Sequence, residues 1–360
     1  MSLSAIKCRF GNKINKQDRR LKRKAAKENA HFEKKNNYLK IICLLFICAC
    51  IITGCANHSA EGEISAENRN EESEKANQAK PEDKPNSNYV ETGEEITADN
   101  GQNKPETVEA DWSEYFNGLN GTAVVYEPAD RRYTIYNQAL AETRRPPCST
   151  FKIISSLIAL ENGIIEPEDS TRTWSGEVFW NESWNKDINF SEAFRTSCVW
   201  YFRQVIDDIG KDMMQNELDK LRYGNCDISD WEGRLNTNNN NKALTGFWIE
   251  SSLLISPKEQ AEVMERIFGR NSDYSEKTQN ELKQVMLVSE QDRTYISIYG
   301  KTGMGKANGI VADAWFTGFA ESAKGNIYFC VRLGTTDGMN VSSTLAKEIA
   351  IKIVSNYCVQ

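Results

Sequence analysis

The sequence is poor in histidine, and this scarcity narrows the chemistry that the chain can perform. Only His31 and His58 occur among its 360 residues, and both precede the part of the chain that has the composition of a folded domain. A Ser-His-Asp triad is therefore excluded in that part, and a zinc site built from histidine is strongly disfavoured. Any nucleophile there needs a different base.

The chain also lacks a C-x-x-C pair, although it contains ten cysteines. Five of them fall in the presumed domain, and an odd number cannot form a complete set of disulfides within one chain. We expect free thiols, with a single disulfide as the alternative. The leader contains Cys8, Cys43, Cys48, Cys50 and Cys55, and the domain contains Cys148, Cys198, Cys226, Cys330 and Cys358.

The chain has no excess of positive charge and no hydrophobic run of membrane-spanning length. The net charge of −7 argues against a nucleic-acid surface. The uncharged segment Ile41–Gly54 is shorter than the roughly 20 residues that span a bilayer. It follows a basic region at 1–40 and therefore fits the apolar core of a secretory signal, with an ordinary signal peptide or a short membrane anchor as alternatives.

The signal-like segment ends in Ile52-Thr53-Gly54-Cys55, which resembles a bacterial lipobox. A lipobox cysteine is diacylated, so this resemblance implies a lipid on Cys55 and a protein anchored to the extracellular face of the cell membrane, or released from it. Residues 56–110 are acidic and rich in Asn, Glu and Lys, and they have too few apolar residues to fold alone. We therefore divide the chain into a leader at 1–55, a linker at 56–110 and a folded domain at 111–360.

Strand patterns lie at both ends of the presumed domain, and helical patterns lie between them. Thr122–Tyr126 and Arg132–Tyr136 alternate like a hairpin, and a helix is predicted over Thr150–Asn162 with Ser149 as its cap. The region 165–290 is predicted to be mostly helical. This order predicts an α+β fold with an antiparallel sheet built from both sequence ends and a mostly helical lobe. The other predicted elements are strands Tyr295–Lys301, Ala314–Ala320 and Asn326–Leu333 and a final helix from Ser343 to Tyr357.

Ser149-Thr150-Phe151-Lys152 is the first candidate site. A spacing of three at the start of a helix places Ser149 and Lys152 on one face. A serine hydroxyl needs a base, and a lysine with its ordinary pKa of about 10.4 is protonated at neutral pH. Burial among apolar groups would lower the pKa and free the amine. The spacing alone is weak, since Ser4–Lys7 and Ser183–Lys186 also match it.

Two further motifs make the pattern more specific. Lys301-Thr302-Gly303 is predicted to end a strand, where a cation and a hydroxyl can grip a carboxylate and Gly303 permits close approach. Ser197-Cys198-Val199 lies in the helical region, where Ser197 can relay a proton. The order S-x-x-K, S-x-V, K-T-G, with gaps of about 45 and about 100 residues, is far more specific than any one motif.

With these motifs in place, residues 112–357 resemble the penicilloyl-serine transferase superfamily. Within it they are most similar to class D (OXA-type) β-lactamases and to the extracellular β-lactam sensor domains of Gram-positive receptors. The absence of S-D-N separates the chain from class A enzymes. Besides the three motifs, the resemblance includes Tyr223-Gly224-Asn225, Phe247-Trp248-Ile249-Glu250 and Ala314-Trp315-Phe316-Thr317-Gly318.

The resemblance implies a two-step acyl transfer on a β-lactam. Ser149 would attack the lactam carbonyl, Lys152 carbamylated by carbon dioxide would be the base, and Ser197 would pass a proton to the lactam nitrogen. Backbone N–H groups of Ser149 and Met304 would form the oxyanion hole. The substrate carboxylate would bind Lys301 and Thr302. No metal and no cofactor beyond carbon dioxide or bicarbonate is implied.

A carbamylated lysine requires a dry pocket, because only an unprotonated amine reacts with carbon dioxide. We expect Phe151, Val199 and Trp248 to form it, and the resemblance implies that Trp248 hydrogen-bonds the carbamate. Val199 bears on function, since transpeptidases and sensor receptors usually carry Asn at the matching position. Valine favours a stable carbamate and hence turnover.

Two departures and three functions stay open. The segment 343–347 has no arginine, although class D enzymes often carry one there for the substrate carboxylate. The stretch between Asn225 and Trp248 is longer than usual, with a polar segment Asn236–Asn241. The leading function is β-lactam hydrolysis, and the alternatives are a sensor or penicillin-binding protein that stays acylated and a peptidoglycan transpeptidase or carboxypeptidase. The sequence makes no prediction of oligomeric state.

Overall fold

The computed structural model describes residues 104–234, 241–291 and 296–359 of the chain. The predicted leader, with the lipid expected on Cys55, and the predicted linker as far as residue 103 lie outside these ranges. Tyr295, the first residue of a predicted strand, lies outside them as well. Among the described residues, no helix is both long enough and apolar enough to span a membrane.

One sheet contains seven strands drawn from both ends of the described chain. They are β1 (Glu106–Glu109), β2 (Gly121–Glu127), β3 (Arg132–Tyr136), β4 (Leu287–Gln291), β5 (Ile296–Ala307), β6 (Ile310–Ser322) and β7 (Gly325–Gly334). The order across the sheet is β1-β3-β2-β7-β6-β5-β4. Only the pair β1–β3 is parallel among these strands. The predicted α+β fold, with a sheet built from both sequence ends, is confirmed.

Helices fill the middle of the chain and its C-terminal end. Some begin with clear local signals: Ser256 Oγ accepts the Glu259 N–H while the Glu259 carboxylate accepts the Ser256 N–H, and Pro257 occupies the first turn. The helices are α1 (Ser113–Phe116), α2 (Gln138–Ala141), α3 (Lys152–Glu161), α4 (Phe190–Thr196), α5 (Val199–Ile209), α6 (Lys211–Leu221), α7 (Pro257–Phe268), α8 (Glu276–Met286) and α9 (Ser343–Val359).

Alternation along the strands divides the apolar residues between two cores. On β2, Val124 belongs to the core that contains the helical lobe, whereas Ala123 and Val125 belong to the core formed with α9. The same division separates Phe319 from Phe316 on β6. The sheet is therefore covered on both faces, and the helical lobe lies on the face that also carries α3 and α5.

Two predicted boundaries need correction. The strand β1 lies inside the segment 56–110 that the sequence assigns to the linker, so the sheet begins at Glu106 rather than after residue 110. Its four residues are exposed, and backbone pairing with β3 holds them, so composition gave no signal. The strand β4 lies at the end of the region 165–290 that the sequence predicts as helical.

Two local predictions around the motifs also need correction. Ser149 does not cap the helix: it lies inside a 3₁₀ turn, Cys148–Phe151, which runs directly into α3. Lys301-Thr302-Gly303 does not end its strand but lies in the middle of β5, because the hairpin pairing with β6 continues to Ala307. The motif is consequently held by a neighbouring strand over its whole length.

Candidate active site

Ser149 and Lys152 meet at the start of α3. The 3₁₀ turn continues into the helix, so side chains three residues apart lie on one face. Lys152 Nζ donates a hydrogen bond of 3.1 Å to Ser149 Oγ. Ser149 is half-buried at the edge of a cleft, whereas Lys152 is 1% exposed. The juxtaposition that the spacing predicts is present, and the lysine is inside the protein.

The surroundings of Lys152 favour the neutral amine. Desolvation lowers its pKa to about 8, and the nearby groups that partly oppose this are the thiols of Cys198 and Cys148 rather than a carboxylate. Nζ lies 5.3 Å from the centroid of the Phe202 ring. With a pKa near 8, about one tenth of the lysine is unprotonated at pH 7, against less than one thousandth at the ordinary pKa.

Ser197 and Lys301 form a second serine–lysine pair. Ser197 joins α4 to α5 with a left-handed backbone at φ 61°. Lys301 Nζ donates to Ser197 Oγ at 2.9 Å, to the Thr302 carbonyl oxygen at 3.1 Å and to Thr302 Oγ1 at 3.4 Å. Desolvation, followed by the charges of Lys152 and Lys347, lowers the pKa of Lys301. A carboxylate bound beside Lys301 would raise this pKa by supplying the opposite charge.

Two glycines allow β5 to pass close to the serine turn. A Cβ at Gly303 would lie 2.9 Å from the Pro147 carbonyl oxygen, and one at Gly305 would lie 2.9 Å from Cys148 Sγ. Either side chain would force the strand and the turn apart. Met304, between the two glycines, is 43% exposed and lines the cleft with Ser149. The predicted oxyanion residue is therefore beside the predicted nucleophile.

The three residues predicted to form an apolar pocket all lie near this turn. Phe151 is fully buried and stacks on the buried Trp248, with ring centroids 6.1 Å apart. Val199 is half-buried and lines the cleft. Phe202, one helical turn beyond Val199 on α5, is a fourth apolar neighbour that sequence reasoning missed, although the spacing of three along a helix was available to find it.

A cleft of about 580 Å³ opens above Ser149. Part of its wall is apolar and includes Trp180, which is 78% exposed. Trp180 leans on the buried Trp184, with ring centroids 5.1 Å apart. Trp184 therefore belongs to the core, and Trp180 belongs to the rim of the cleft. Asn241 also lines the cleft, and the rest of the predicted polar segment at 236–240 lies outside the described residues.

Two charged residues near the cleft were given no role by the sequence. Lys347 on α9 shares a groove with Lys301 and Thr302, so a lysine brings positive charge to the region where the expected arginine is missing. Glu250 lines the cleft and accepts the Lys306 N–H through Oε1 at 2.6 Å. Spacing along the chain cannot reveal either position, because Glu250 reaches the Ser149 cleft, and Lys347 reaches the Lys301 groove, from an element far away in the sequence.

The expectation of free thiols is confirmed, since all five domain cysteines are free. Burial raises the pKa of Cys198 to about 11, and it also raises the pKa of Cys148 strongly. Both thiols therefore stay protonated and behave as small packing groups. Among residues 104–234, 241–291 and 296–359, no group of three or more His, Cys, Asp or Glu side chains is arranged to hold a metal ion.

Comparison with known proteins identifies the class to which this arrangement belongs. The family described as the penicillin binding protein transpeptidase domain matches residues 91–355. The chain therefore belongs to the penicillin-binding transpeptidase family, within the superfamily of penicillin-recognising serine enzymes.

The similar proteins include both a regulator and hydrolases. The regulatory protein BlaR1 of Bacillus licheniformis is 30% identical over 246 residues, which cover 68% of this chain and 38% of BlaR1. The probable β-lactamase YbxI of Bacillus subtilis (strain 168) is 30% identical over 242 residues, which cover 67% of this chain and 82% of YbxI. The crystal structure of a class D β-lactamase from Bacillus subtilis has a TM-score of 0.58 and 30% identity, over 68% of this chain and 94% of that one.

Proposed function

We propose that this chain hydrolyses β-lactam antibiotics through an acyl-enzyme on Ser149, with carbamylated Lys152 as the general base. The observation that carries the proposal is the position of the Lys152 amine. It is buried, it lies 3.1 Å from Ser149 Oγ, and desolvation lowers its pKa to about 8. An amine in this setting is able to accept a proton or to react with carbon dioxide. Carbamylation would supply an anionic proton acceptor in a site without histidine.

Acylation would proceed between two serines. Ser149 Oγ bonds to the lactam carbonyl carbon while its proton passes to the side chain of Lys152. The N–H groups of Ser149 and Met304 hydrogen-bond the oxyanion. The lactam C–N bond then breaks, and Ser197 Oγ gives its proton to the departing nitrogen and regains one from Lys301. The Lys301–Ser197 distance of 2.9 Å suits this transfer.

Deacylation separates a hydrolase from a receptor. Before this step, the proton that Lys152 took from Ser149 must return to Lys301 through Ser197 or solvent. A water molecule then attacks the ester carbonyl and gives a proton to the side chain of Lys152, which passes it to Ser149 Oγ as the ester C–O bond breaks. Val199 supports turnover, because its methyl groups at the cleft wall offer no hydrogen bond that would compete for the side chain at 152. Anchoring by a lipid on Cys55 at the extracellular face of the cell membrane stays part of this proposal.

A β-lactam receptor that acylates and stays acylated is the second candidate. The similarity to BlaR1 favours it, because the identity of 30% equals the identity to YbxI. Both functions share the acylation chemistry, so the structural arrangement of Ser149 and Lys152 supports both. The chain spans well under half the length of BlaR1, and the activity of that whole protein is not carried over.

Turnover by the purified full-length chain tests the proposal. The chain is mixed with a chromogenic cephalosporin and excess bicarbonate, with Ser149→Ala as the control, and released product is counted per protein molecule. We expect many turnovers and none in the control. A single stoichiometric burst with a lasting adduct on Ser149 would replace the hydrolase with the receptor. The absence of any adduct would remove both.

A further inference from the structure

Three residues beside the cleft hold left-handed backbones although each has a Cβ. They are Cys148 at φ 51°, Ser197 at φ 61° and Glu250 at φ 51°. This conformation is uncommon outside glycine, and it persists only where the surroundings hold it in place. Cys148 directly precedes the proposed nucleophile Ser149, and Ser197 is itself the proposed proton donor. Glu250 has no part in the proposed acyl transfer, so its conformation needs another explanation.

Glu250 touches the two segments that carry the proposed oxyanion donors. Its Oε1 accepts the backbone N–H of Lys306 on β5 at 2.6 Å. Its own backbone N–H interacts with the sulfur of Cys148, the residue before Ser149. The Cys148 N–H in turn donates to the Trp248 carbonyl oxygen at 3.0 Å. The turn that contains Glu250 is therefore tied to the serine turn on one side and to β5 on the other.

The hydrogen bond from β5 to Glu250 is made two residues after Met304. Backbone N–H groups two residues apart in a strand point to the same edge, so the Met304 N–H faces the same edge as the Lys306 N–H. The pairing between β4 and β5 ends at Tyr299, which leaves this edge without a strand neighbour near Met304 among the described residues. A register irregularity with β6 occurs between Gly305 and Lys306. The Glu250 carboxylate supports the strand where both neighbours give it the least support.

We infer that Glu250 is a positioning residue that fixes the separation between the backbone N–H groups of Ser149 and Met304. The role of these two N–H groups as an oxyanion hole rests on the proposed function, whereas the hydrogen bond between Glu250 and Lys306 does not depend on it. The carboxylate suits the task because a charged acceptor makes a short, strong hydrogen bond to an N–H. In this conformation the Glu250 N–H faces Cys148 and the side chain reaches β5.

The carbonyl stretching frequency of the acyl-enzyme tests the inference, because it falls as hydrogen bonds to the carbonyl oxygen strengthen. We expect Glu250→Ala to raise this frequency and to slow acylation about tenfold, less than the 10²–10³-fold cost of losing a donor outright. Glu250→Gln keeps a carbonyl oxygen that accepts the Lys306 N–H, so its carbonyl frequency and acylation rate should both lie close to those of the wild type. Ser251→Ala is the matched control, because Ser251 is the next residue after Glu250 but donates its side-chain hydrogen bond to Asp230 rather than to β5.

A second measurement needs no acylation. In the unacylated protein labelled with ¹⁵N, Glu250→Ala should shift the Met304 amide signal and accelerate its hydrogen exchange, and Ser251→Ala should do neither. If the wild type forms no adduct on Ser149, the proposed function fails while this measurement still decides the positioning role. An unchanged Met304 amide in Glu250→Ala, or equal changes in Ser251→Ala, would overturn the inference.

Discussion

The two serine–lysine pairs beside the cleft have nearly the same distance between the lysine Nζ and the serine Oγ, but the lysines lie in different surroundings. Lys152 Nζ donates a hydrogen bond of 3.1 Å to Ser149 Oγ, and the two residues are three positions apart on one helical turn. Lys301 lies 2.9 Å from Ser197, which is 104 residues away, and also donates to the backbone and hydroxyl of Thr302. Both lysines are buried and lie near an aromatic ring, Phe202 for Lys152 and Phe194 for Lys301, but Lys301 has two further oxygen acceptors, whereas Lys152 has thiols nearby.

Within the proposed function, this difference favours Lys152 as the base. The ammonium form of Lys152 gives up its proton at little cost, because apolar neighbours such as Phe202 do not stabilise an ammonium ion as water does. Desolvation lowers the pKa of Lys301 as well, but Lys301 has three oxygen acceptors for an ammonium ion, and a bound substrate carboxylate would raise its pKa again, which suits a group that holds a carboxylate and donates protons. Similar pair distances therefore support opposite roles, which substitutions of the two lysines can separate.

Replacing the two lysines by alanine should give the largest effect. Lys152→Ala removes the base, and we expect acyl transfer to fall by about 10²–10⁴-fold and to lose any response to bicarbonate. Lys301→Ala should act mainly on substrate binding, with a raised KM and a remaining bicarbonate response. Steady-state and single-turnover kinetics with a chromogenic cephalosporin measure both. A bicarbonate response that survives in Lys152→Ala would contradict the assignment.

Burial of Lys152 should cost stability, and removing it should show this. The folded pKa of about 8 lies below the unfolded value of about 10.4, so the unfolded chain binds more protons between these values and stability rises with pH. At pH 7 the cost approaches about 3 kcal/mol. Lys152→Met should therefore raise the free energy of unfolding at pH 7 by up to that amount.

Urea unfolding between pH 7 and pH 10 measures this gain, which should shrink as the pH rises past 8. Lys301→Met is the comparison, because it also loses the three hydrogen bonds of the lysine and should gain less. A gain in Lys152→Met that does not depend on pH would show that desolvation of the charged amine is not its source.

The Val199→Asn variant should have a smaller effect that separates the two steps of the reaction. An amide at the cleft wall would hydrogen-bond the side chain at 152 and lessen its reactivity. We expect deacylation to slow by roughly tenfold or more, equivalent to about 1.4 kcal/mol in the barrier, with acylation affected less. Val199→Ala, which stays apolar, is the control. Unchanged turnover and bicarbonate dependence in Val199→Asn would show that the dry pocket does not depend on this residue.

The smallest effect should be the dependence on pH of activation by carbon dioxide. At a fixed, subsaturating concentration of dissolved carbon dioxide, activation depends on the neutral fraction of Lys152. With a pKa near 8, this fraction rises about fivefold from pH 7 to pH 8 and then levels off. The initial rate of activation after adding carbon dioxide to a stripped sample measures it. A rise that continues past pH 10 would indicate an ordinary, solvated lysine.

The same contrast explains what the sequence was able to predict. The pair Ser149–Lys152 is local, so helical spacing alone places the two side chains together. The pair Ser197–Lys301 depends on the packing of α4 against β5, and only the order of motifs indicated it. Glu250 lies in one of the motifs that carry the resemblance, but its contact with β5 has no signal in the sequence, and Lys347 on a distant helix resembles an ordinary surface residue.

The elements of the fold follow the same rule. Strands β2 and β3 were predicted almost to the residue because their apolar residues alternate. Strands β1 and β4 were missed, because β1 is short and exposed and is specified mainly by backbone pairing, and β4 follows α8 without a turn residue between them. The bend of the serine turn before α3 was also missed, since the left-handed φ of Cys148 has no signature in the sequence.

Direct observation of the side chain at position 152 tests the central claim. The purified chain is equilibrated with ¹³C-labelled bicarbonate, and the carbon spectrum is compared with those of Lys152→Met and Lys301→Met. We predict one carbamate signal that appears in the wild type, persists in Lys301→Met and vanishes in Lys152→Met, together with turnover that follows its intensity. Rapid turnover with no such signal, or a signal that survives in Lys152→Met, would contradict the account.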